Sequence, residues 1–392
     1  MTRIYQAPGR ATGLRVLIAG AGAYPNAKAV RPGVPVLDDL TSVAPSVIAF
    51  AERLLTNWRP DLAMDLLSVD LLLSDPGQPC GATWPGFNLP GECAEGQALD
   101  PPTLDNLDGA LQAALAGAEP DEGLLLLFCG HGFTRASRYF MASDFGCGGT
   151  PWSRAINLTA LELALQQEKP RTQWLFWDCC ADIPAEILDV LGDIGTPLIQ
   201  PRASAISKAV EQYGLLSRFS LPSSVQGQRA FGFPGKKTRF TEMLIEALDG
   251  IGATKRPGGI WWVLDQGIVD AMRTYVRRHP EIEDADAYAF VSPSTSEAPD
   301  RMRFRRLAAA PTSMLIASSI PRTAIKSAAV HIIRTGTDGP PVFSQVPPGT
   351  QALLCVQLSP LVDYDVIATF AGVTRTITCF ADLPLADAAE FV

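Results

Sequence analysis

The first three hundred residues alternate between short, continuous apolar runs and segments whose apolar residues recur at helical spacing. The continuous runs predict buried β-strands, because the strands of a parallel sheet are covered on both faces. Strands are predicted at residues 14–19, 64–73, 124–129, 174–177, 213–223 and 288–291. Helices are predicted at residues 43–55, 104–116, 158–167, 239–248 and 267–278. Thr103 is the expected N-cap of the second helix, and Thr41 or Ser42 that of the first.

This alternation predicts an α/β fold with a mostly parallel sheet that has helices on both faces. Residues 183–207 are predicted to be a connecting region. After residue 300 the pattern changes to short strand-like runs at 329–333, 353–358, 366–370 and 374–380, separated by turn-forming segments. Short strands of this kind predict a small all-β, sandwich-like domain. We place the boundary so that the two domains span residues 1–304 and 305–392.

The composition fits two compact domains. The chain has 392 residues, of which 47% are hydrophobic and 19% charged, so little disorder is expected. The net charge of −9 argues against nucleic acid as the main partner, and we interpret Lys236, Lys237 and Arg239 as a solvated loop. The sequence shows no signal peptide and no apolar run of the ~20 residues that span a membrane. Eight cysteines without a regular framework favour reduced thiols and a cytoplasmic location.

Two apolar runs end in side chains that can react. The run at 124–129 is followed by Gly130, His131 and Gly132, and the run at 174–177 is followed by Asp178, Cys179 and Cys180. In sheets of parallel strands, ligand sites lie beyond the carboxyl ends of the strands, so the histidine and the cysteines fall at the same edge. An imidazole beside a thiol raises the thiolate fraction and later carries a proton to the leaving amine. The sequence therefore predicts a nucleophile and its base.

Two backbone N–H groups are candidates for stabilising the oxyanion of such a reaction. Gly132 follows the histidine and has no side chain to keep its N–H away from a substrate, and the N–H of Cys180 is the natural second donor. The alternative interpretation is that Cys179 and Cys180 are small buried hydrophobic residues, as cytosolic cysteines often are. The pairing with His131 favours catalysis.

At these residues the chain resembles the caspase-like cysteine peptidases, and bacterial metacaspase-like members in particular. The resemblance covers the Gly-His-Gly and Asp-x-Cys motifs, the YFMASD segment, the RFTEMLIEAL helix and the order of elements over the first three hundred residues. It implies a caspase-like six-stranded sheet, with His131 and Cys180 as the catalytic dyad and Gly132 and Cys180 as the oxyanion hole. Cys179 is then an inert neighbour. The sequence departs from the family after the nucleophile, where Ala181 and Asp182 replace His-Ser-Gly.

Substrate preference depends mainly on Asp178. By the resemblance, this carboxylate lies in the S1 pocket and favours Arg or Lys at P1; the alternative is that it caps the following turn. The family's second acid falls near Ser46, which is not acidic, so Asp38 or Asp39 is a candidate replacement.

The resemblance also bears on cofactors and partners. Metacaspases commonly need calcium, for which Asp144 is one candidate ligand, but the sequence shows no acidic cluster and requires no cofactor. The expected partner is a protein substrate, without nucleic acid or membrane insertion. Related bacterial peptidases act in regulated cell death or anti-phage defence, in some cases by activating a gasdermin-like partner. The alternative function is a caspase-like pseudoenzyme or interaction module that binds without cleavage.

Overall fold

The computed structural model describes most of the chain and divides it into two compact units. It describes residues 2–28, 35–78, 81–148, 152–180, 194–223, 234–273, 294–295, 302–320, 322–337, 339–349, 354–382 and 389–391. The first unit contains Met1–Glu242 and Ala289–Met302, and the second contains Met243–Tyr288 and Arg303–Val392. The division therefore gives residues 243–288 to the second unit, whereas the sequence-based boundary lies at 304/305.

A mixed, mostly parallel sheet forms the centre of the first unit. Its strands are β1 (Arg3–Gln6), β2 (Leu14–Ala21), β3 (Leu66–Ser74), β4 (Gly123–Gly130), β8 (Thr172–Cys179) and β9 (Ser217–Pro222), in the order β1-β3-β2-β4-β8-β9. The two-residue strand β12 (Ser294–Thr295) pairs with the free edge of β9. Strand β1 and strand β12 are antiparallel to their neighbours, and the other pairs are parallel. The α/β class is confirmed, and strands β2, β3, β4, β8 and β9 lie at five of the six predicted strand positions. The sixth, at 288–291, lies outside the described residues.

A second, antiparallel sheet lies after the histidine in the sequence. It contains β5 (Gly132–Thr134), β6 (Arg138–Met141) and β7 (Ala155–Asn157) in sequential order. These short strands were not predicted, because none is long enough to show an alternating pattern. The YFMASD segment supplies β6, which pairs with both neighbours.

The chain has six α-helices among the described residues. They are α1 (Val43–Glu52), α2 (Leu104–Leu115), α3 (Leu158–Ala164), α4 (Ala203–Tyr213), α5 (Arg239–Glu246) and α6 (Asp265–Arg273). The Thr103 side chain accepts a hydrogen bond from the N–H of Asn106, as predicted for a cap, whereas Ser42 makes no side-chain cap bond. Helix α4 was not predicted; it begins inside the segment 183–207 that we expected to be a connection.

Helices cover both faces of the parallel sheet. Leu107 and Leu111 of α2 belong to a buried cluster with Leu17, Leu126 and Leu175, which lie on one face of the sheet. On the other face, the Phe50 ring of α1 lies 6.3 Å from the ring of Phe176. Because side chains alternate along a strand, each strand contributes to both layers, which explains why its sequence is apolar throughout.

The second unit contains three small sheets. Strands β10 (Ala253–Lys255), β11 (Trp261–Leu264) and β13 (Arg303–Leu307) form the first, in that order. The second has the order β17-β14-β20, with β14 (Ser313–Ser319), β17 (Leu354–Leu358) and β20 (Ala389–Phe391). The third has the order β16-β15-β18-β19, with β15 (Ala329–Arg334), β16 (Phe343–Gln345), β18 (Asp363–Phe370) and β19 (Val373–Phe380). The last two share one core, and the four strands predicted after residue 300 are present. None of the helices described in either unit combines the length and apolar character that a membrane crossing requires.

Candidate active site

His131 and Cys180 follow neighbouring strands at the same level. In the β4–β8 ladder Gly130 is the register partner of Cys179, so the next residue on each strand is His131 or Cys180. The sheet order places β3 on one side of β2 and β4 on the other, which makes the carboxyl end of β2 and β4 the point where strand order reverses. Such a point is where open α/β sheets bind their ligands. The fold therefore brings the two predicted catalytic residues to adjacent positions at the expected edge.

Hydrogen bonds to both sides of its backbone fix the position of His131. Its N–H donates to the phenolic oxygen of Tyr24 at 2.8 Å, and its carbonyl accepts the N–H of Met141 at 2.9 Å. Tyr24 follows β2 and is fully buried, and its ring centroid lies 5.0 Å from that of His131. The histidine is thus tied to β2 and β6 as well as to its own strand.

The imidazole of His131 has a defined tautomer. Its Nε2 lies 2.9 Å from the backbone carbonyl oxygen of Asp38. A carbonyl oxygen only accepts hydrogen bonds, so Nε2 carries the proton and Nδ1 is the basic nitrogen of the neutral ring. Burial lowers the pKa of His131 below its ordinary value, and the Asp38 carbonyl opposes this only in part. The imidazole is therefore neutral near pH 7 and able to accept a proton.

Gly132 lies in a space that only glycine fits. A Cβ at this position would lie 2.6 Å from the carbonyl oxygen of Tyr139, 2.8 Å from Cβ of Cys179 and 2.9 Å from the carbonyl oxygen of Cys180. Hydrogen-bonded and non-bonded pairs alternate in an antiparallel ladder, and the bond from Met141 N–H to His131 makes the next pair, Gly132 with Phe140, a non-bonded one. The N–H of Gly132 is therefore directed away from β6, as an oxyanion donor requires.

The two adjacent cysteines differ in environment. Cys179 is buried in the core on the α2 face of the sheet, and burial raises its pKa to about 12. Cys180 is half-buried at the end of the strand. The Ser223 hydroxyl donates to the carbonyl oxygen of Cys179 at 2.9 Å, which fixes the backbone just before Cys180. A thiol of such high pKa forms almost no thiolate at neutral pH, so the geometry favours Cys180 over Cys179 as nucleophile.

Asp178 is a buried carboxyl group with one oxygen satisfied and one free. Its side chain is only 2% exposed. Oδ2 accepts hydrogen bonds from the hydroxyls of Thr238 and Thr241 and from the Cys129 thiol, whereas Oδ1 has no hydrogen-bond partner among the described residues. Burial raises the pKa of Asp178, although the threonine hydroxyls act in the opposite direction. The group is held rigidly and retains one oxygen for a further donor.

Ser46 continues this polar network on α1. Its Oγ accepts the N–H of Thr238 at 2.8 Å, and Thr238 Oγ1 in turn accepts the N–H of Thr241 at the start of α5. The position where the resemblance places a second acid is therefore occupied by a buried, hydrogen-bonded serine. The two candidate replacements have other partners: the Asp39 carboxylate pairs with Lys28 at 2.8 Å, and the backbone carbonyl of Asp38 accepts a hydrogen bond from His131.

Two cavities flank these residues. One, of about 480 Å³, is lined by Pro45 and by Gly235, Lys236, Lys237, Arg239 and Glu242 beside the Asp178 network. The other, of about 460 Å³, lies on the β2–β3 side and has Asp39, Asp75 and Asp144 in its lining.

Asp144, the candidate calcium ligand, has other partners. One oxygen accepts the N–H of Leu104 at the start of α2, and the other lies 3.3 Å from a guanidinium nitrogen of Arg154. Among the described residues, no group of three or more His, Cys, Asp or Glu side chains has the arrangement of a metal site.

Several residues of the site could not be found from the sequence. Tyr24 follows a strand and lies in a Gly/Pro-rich turn, so the position after β2 was the available signal for it. Asp38 acts through its carbonyl oxygen, which every residue has. Thr238 and Thr241 lie three residues apart at the start of a predicted helix, and nothing in that spacing indicates their contact with Asp178.

No protein-family model matches the sequence, and comparison with curated proteins gives no significant match. The functional assignment accordingly depends on the geometry of these residues.

Proposed function

We propose that the chain is a cysteine endopeptidase of the caspase-like type, with Cys180 as nucleophile and His131 as general base and acid. The observation that carries the proposal is the β4–β8 register, which places these two residues directly after partnered positions on adjacent strands. The neutral His131 ring, with Nδ1 free of the Asp38 contact, has the protonation state that thiol activation needs.

The first half of the reaction forms a covalent intermediate. Nδ1 of His131 accepts the proton of the Cys180 thiol, and the thiolate attacks the carbonyl carbon of the scissile peptide bond. The carbonyl oxygen becomes an oxyanion, which the N–H groups of Gly132 and Cys180 stabilise by hydrogen bonds. Breaking of the C–N bond leaves an acyl group on Cys180 as a thioester, and the imidazolium gives its proton to the departing amine.

The second half restores the enzyme. His131, neutral again, accepts a proton from a water molecule that attacks the thioester carbonyl. The same N–H groups stabilise the second oxyanion, and its collapse releases the carboxylic acid product while the proton returns to the Cys180 sulfur. His131 donates hydrogen bonds to Tyr24 and to the Asp38 carbonyl and accepts one from the N–H of Met141, and together they keep the imidazole in one orientation through both halves.

We propose that Asp178 selects a basic P1 residue. The free Oδ1 of this buried carboxyl is the supporting observation, because the cationic tip of Arg or Lys supplies donors and opposite charge to an otherwise unsatisfied group. Lys236 and Lys237 line the neighbouring cavity, where they favour an acidic side chain. The P1 preference therefore discriminates between binding of P1 at Asp178 and binding in that cavity.

A panel of fluorogenic peptides that differ only at P1 tests both parts of the proposal. The wild-type chain is expected to cleave after Arg and Lys in preference to Asp, Glu and apolar residues. Cys180→Ala is expected to cleave nothing, and Asp178→Asn to lose the basic preference. Asp65→Asn, which removes a carboxylate of the first unit far from the site, is the matched control and should behave as wild type. Cleavage after Asp or Glu would contradict the Asp178 assignment, and cleavage by Cys180→Ala would contradict the dyad.

The alternative, a pseudoenzyme that binds without cleavage, predicts no turnover of any peptide in the panel. A role in bacterial cell death or antiviral defence is an extension of the resemblance. Profiling of new protein N-termini in cells that express the wild-type chain or Cys180→Ala would identify the natural substrate.

A further inference from the structure

A positively charged surface lies on the sheet β10-β11-β13 of the second unit. Strand β13 carries Arg303, Arg305 and Arg306, and the hairpin between β10 and β11 carries Lys255 and Arg256. Arg303 and Arg306 are exposed, whereas Arg305 is buried. Lys255 is also exposed, but its Nζ lies 6.0 Å from the centroid of the Trp261 ring, on the other face of the sheet from Trp262. The two segments are separated in sequence by residues 257–302, so their charges come together only in the folded chain.

A tryptophan lies at the centre of this surface. In the sheet register Trp262 is the partner of Thr254 on one side and of Arg306 on the other, so the three side chains share one face. The guanidinium carbon of Arg303 lies 5.3 Å from the centroid of the Trp262 ring. Trp262 is half-buried, unlike the neighbouring Trp261, whose side chain packs on the opposite face. We call Thr254, Trp262, Arg303 and Arg306 the basic–aromatic face.

Within the part of the chain that the structure describes, no carboxylate forms an ion pair with Arg256, Arg303 or Arg306. Unpaired cations that flank a half-exposed aromatic ring are suited to a ligand that is both anionic and planar. The net charge of −9 led us to expect no nucleic acid partner, but charges further away than about 8 Å are largely screened at physiological ionic strength, so the local field decides.

We propose that the basic–aromatic face binds single-stranded nucleic acid. Arg303 and Arg306, with Arg256 in the β10–β11 hairpin, contact phosphates, while a nucleobase stacks against Trp262 and the guanidinium of Arg303. This combination of a cationic track and an aromatic platform is how sequence-tolerant single-strand binders work. In a duplex the bases are stacked on one another, so none is available to contact Trp262. An acidic peptide would pair with the arginines but would not stack on the Trp262 ring.

Fluorescence anisotropy with the 392-residue chain and a labelled oligouridine of about 16 nucleotides, the upper range for one binding domain, tests the proposal. Arg303→Ala/Arg306→Ala is expected to raise the Kd and to reduce the slope of log K against log salt by roughly 1.4, because each phosphate contact on a single strand contributes about 0.7. Trp262→Ala is expected to raise the Kd about tenfold, the effect of losing one base–aromatic stack.

Arg334→Ala/Arg375→Ala is the matched control. It removes the same charge from two exposed arginines of the same unit that lie on another sheet, and it should leave both the Kd and the salt slope unchanged. Thermal unfolding of each variant shows that the fold is retained. Equal weakening by both double variants would overturn the proposal, as would wild-type affinity in Trp262→Ala. Full competition by polyglutamate of the same length would also overturn it and point to an acidic protein segment instead.

Discussion

The phenolic oxygen of Tyr24 accepts the backbone N–H of His131 at 2.8 Å. This single bond joins the end of β2 to the end of β4 at the point where strand order reverses. Tyr24 is fully buried, so without it the N–H of His131 would lose its partner where no water replaces it. The tyrosine therefore acts as a positioning residue for the proposed general base, although it does not touch the reacting atoms.

Tyr24→Phe is expected to reduce activity while leaving the fold intact. Loss of the acceptor leaves a buried N–H unpaired at a cost of about 1–3 kcal/mol, and the His131 ring moves from its fixed position. We expect kcat/KM for the best peptide to fall by about tenfold to a hundredfold, because small displacements of catalytic groups reduce the rate by such factors. Tyr5→Phe is the control, because this tyrosine of β1 is also buried but its hydroxyl accepts a hydrogen bond from Arg59, away from the site. Wild-type kinetics in Tyr24→Phe would show that the bond does not position the base.

Gly132→Ala is expected to abolish activity and to destabilise the first unit. Its methyl group would overlap the carbonyl oxygen of Tyr139 and Cβ of Cys179, and both belong to packed structure that has little freedom to move. Gly109→Ala is the matched control: no atom lies within 4 Å of the added Cβ, and alanine in this helix should stabilise by about 0.5–1 kcal/mol. Urea unfolding and peptide cleavage measure both effects. An active and stable Gly132→Ala chain would contradict the proposed oxyanion hole.

The strands that hold the site were predictable because each contains a continuous run of apolar residues. Residues 124–129 and 174–177 read as buried strands, and the reactive residues follow them directly. Helix α4 was missed since its sequence, ASAISKAVEQY, buries little and has no clear start signal. Strand β1 was missed since its four residues, RIYQ, are too few to show a period.

The parts that could not be predicted depend on contacts between distant segments. The tautomer of His131 is set by the backbone carbonyl oxygen of Asp38. Because every residue has such an oxygen, the sequence does not indicate this contact. Asp178 was singled out from the sequence as a candidate for substrate binding, but its threonine partners are about sixty residues away and only the fold brings them together. The basic–aromatic face combines residues from separate segments of the sequence. The few positive charges of any one segment do not predict a basic surface in a chain of net charge −9.

The pH profile of cleavage should reflect the lowered pKa of His131. Proton acceptance needs the neutral imidazole, so kcat/KM rises with pH as His131 loses its proton, and the midpoint of this rise should lie below the ordinary value of 6.5. Lys28 lowers the pKa of His131, and it also pairs with Asp39. Lys28→Ala should therefore move the midpoint upward, while Lys169→Ala, at an exposed pair with Glu119, should not. A wild-type midpoint above 6.5 would contradict this description of the base.

The buried carboxyl of Asp178 should make stability depend on pH with a definite sign. Its pKa is raised in the folded state, so the folded chain holds this proton more tightly than the unfolded one, and the associated stability is lost as pH rises through the folded-state pKa. Asp178→Asn carries no such charge. Its free energy of unfolding, relative to wild type, should increase as pH rises from the unfolded-state pKa to the higher folded-state pKa of Asp178, by about 1.4 kcal/mol for each pH unit between the two. Asp65→Asn, at an exposed ion pair, serves as control; a difference that shrinks with rising pH would contradict the assignment.

Covalent labelling by a peptidyl electrophile, located by mass spectrometry, tests the central claim most directly. A reagent that reacts by exposure alone modifies Cys147, which is exposed, before the half-buried Cys180. If His131 activates Cys180, a peptidyl ketone with Arg at P1 should give one adduct on Cys180 in the wild-type chain and none in His131→Ala, with Cys147 and Cys179 unmodified in both. An unmodified Cys180, or equal labelling of Cys180 in His131→Ala, would contradict the dyad.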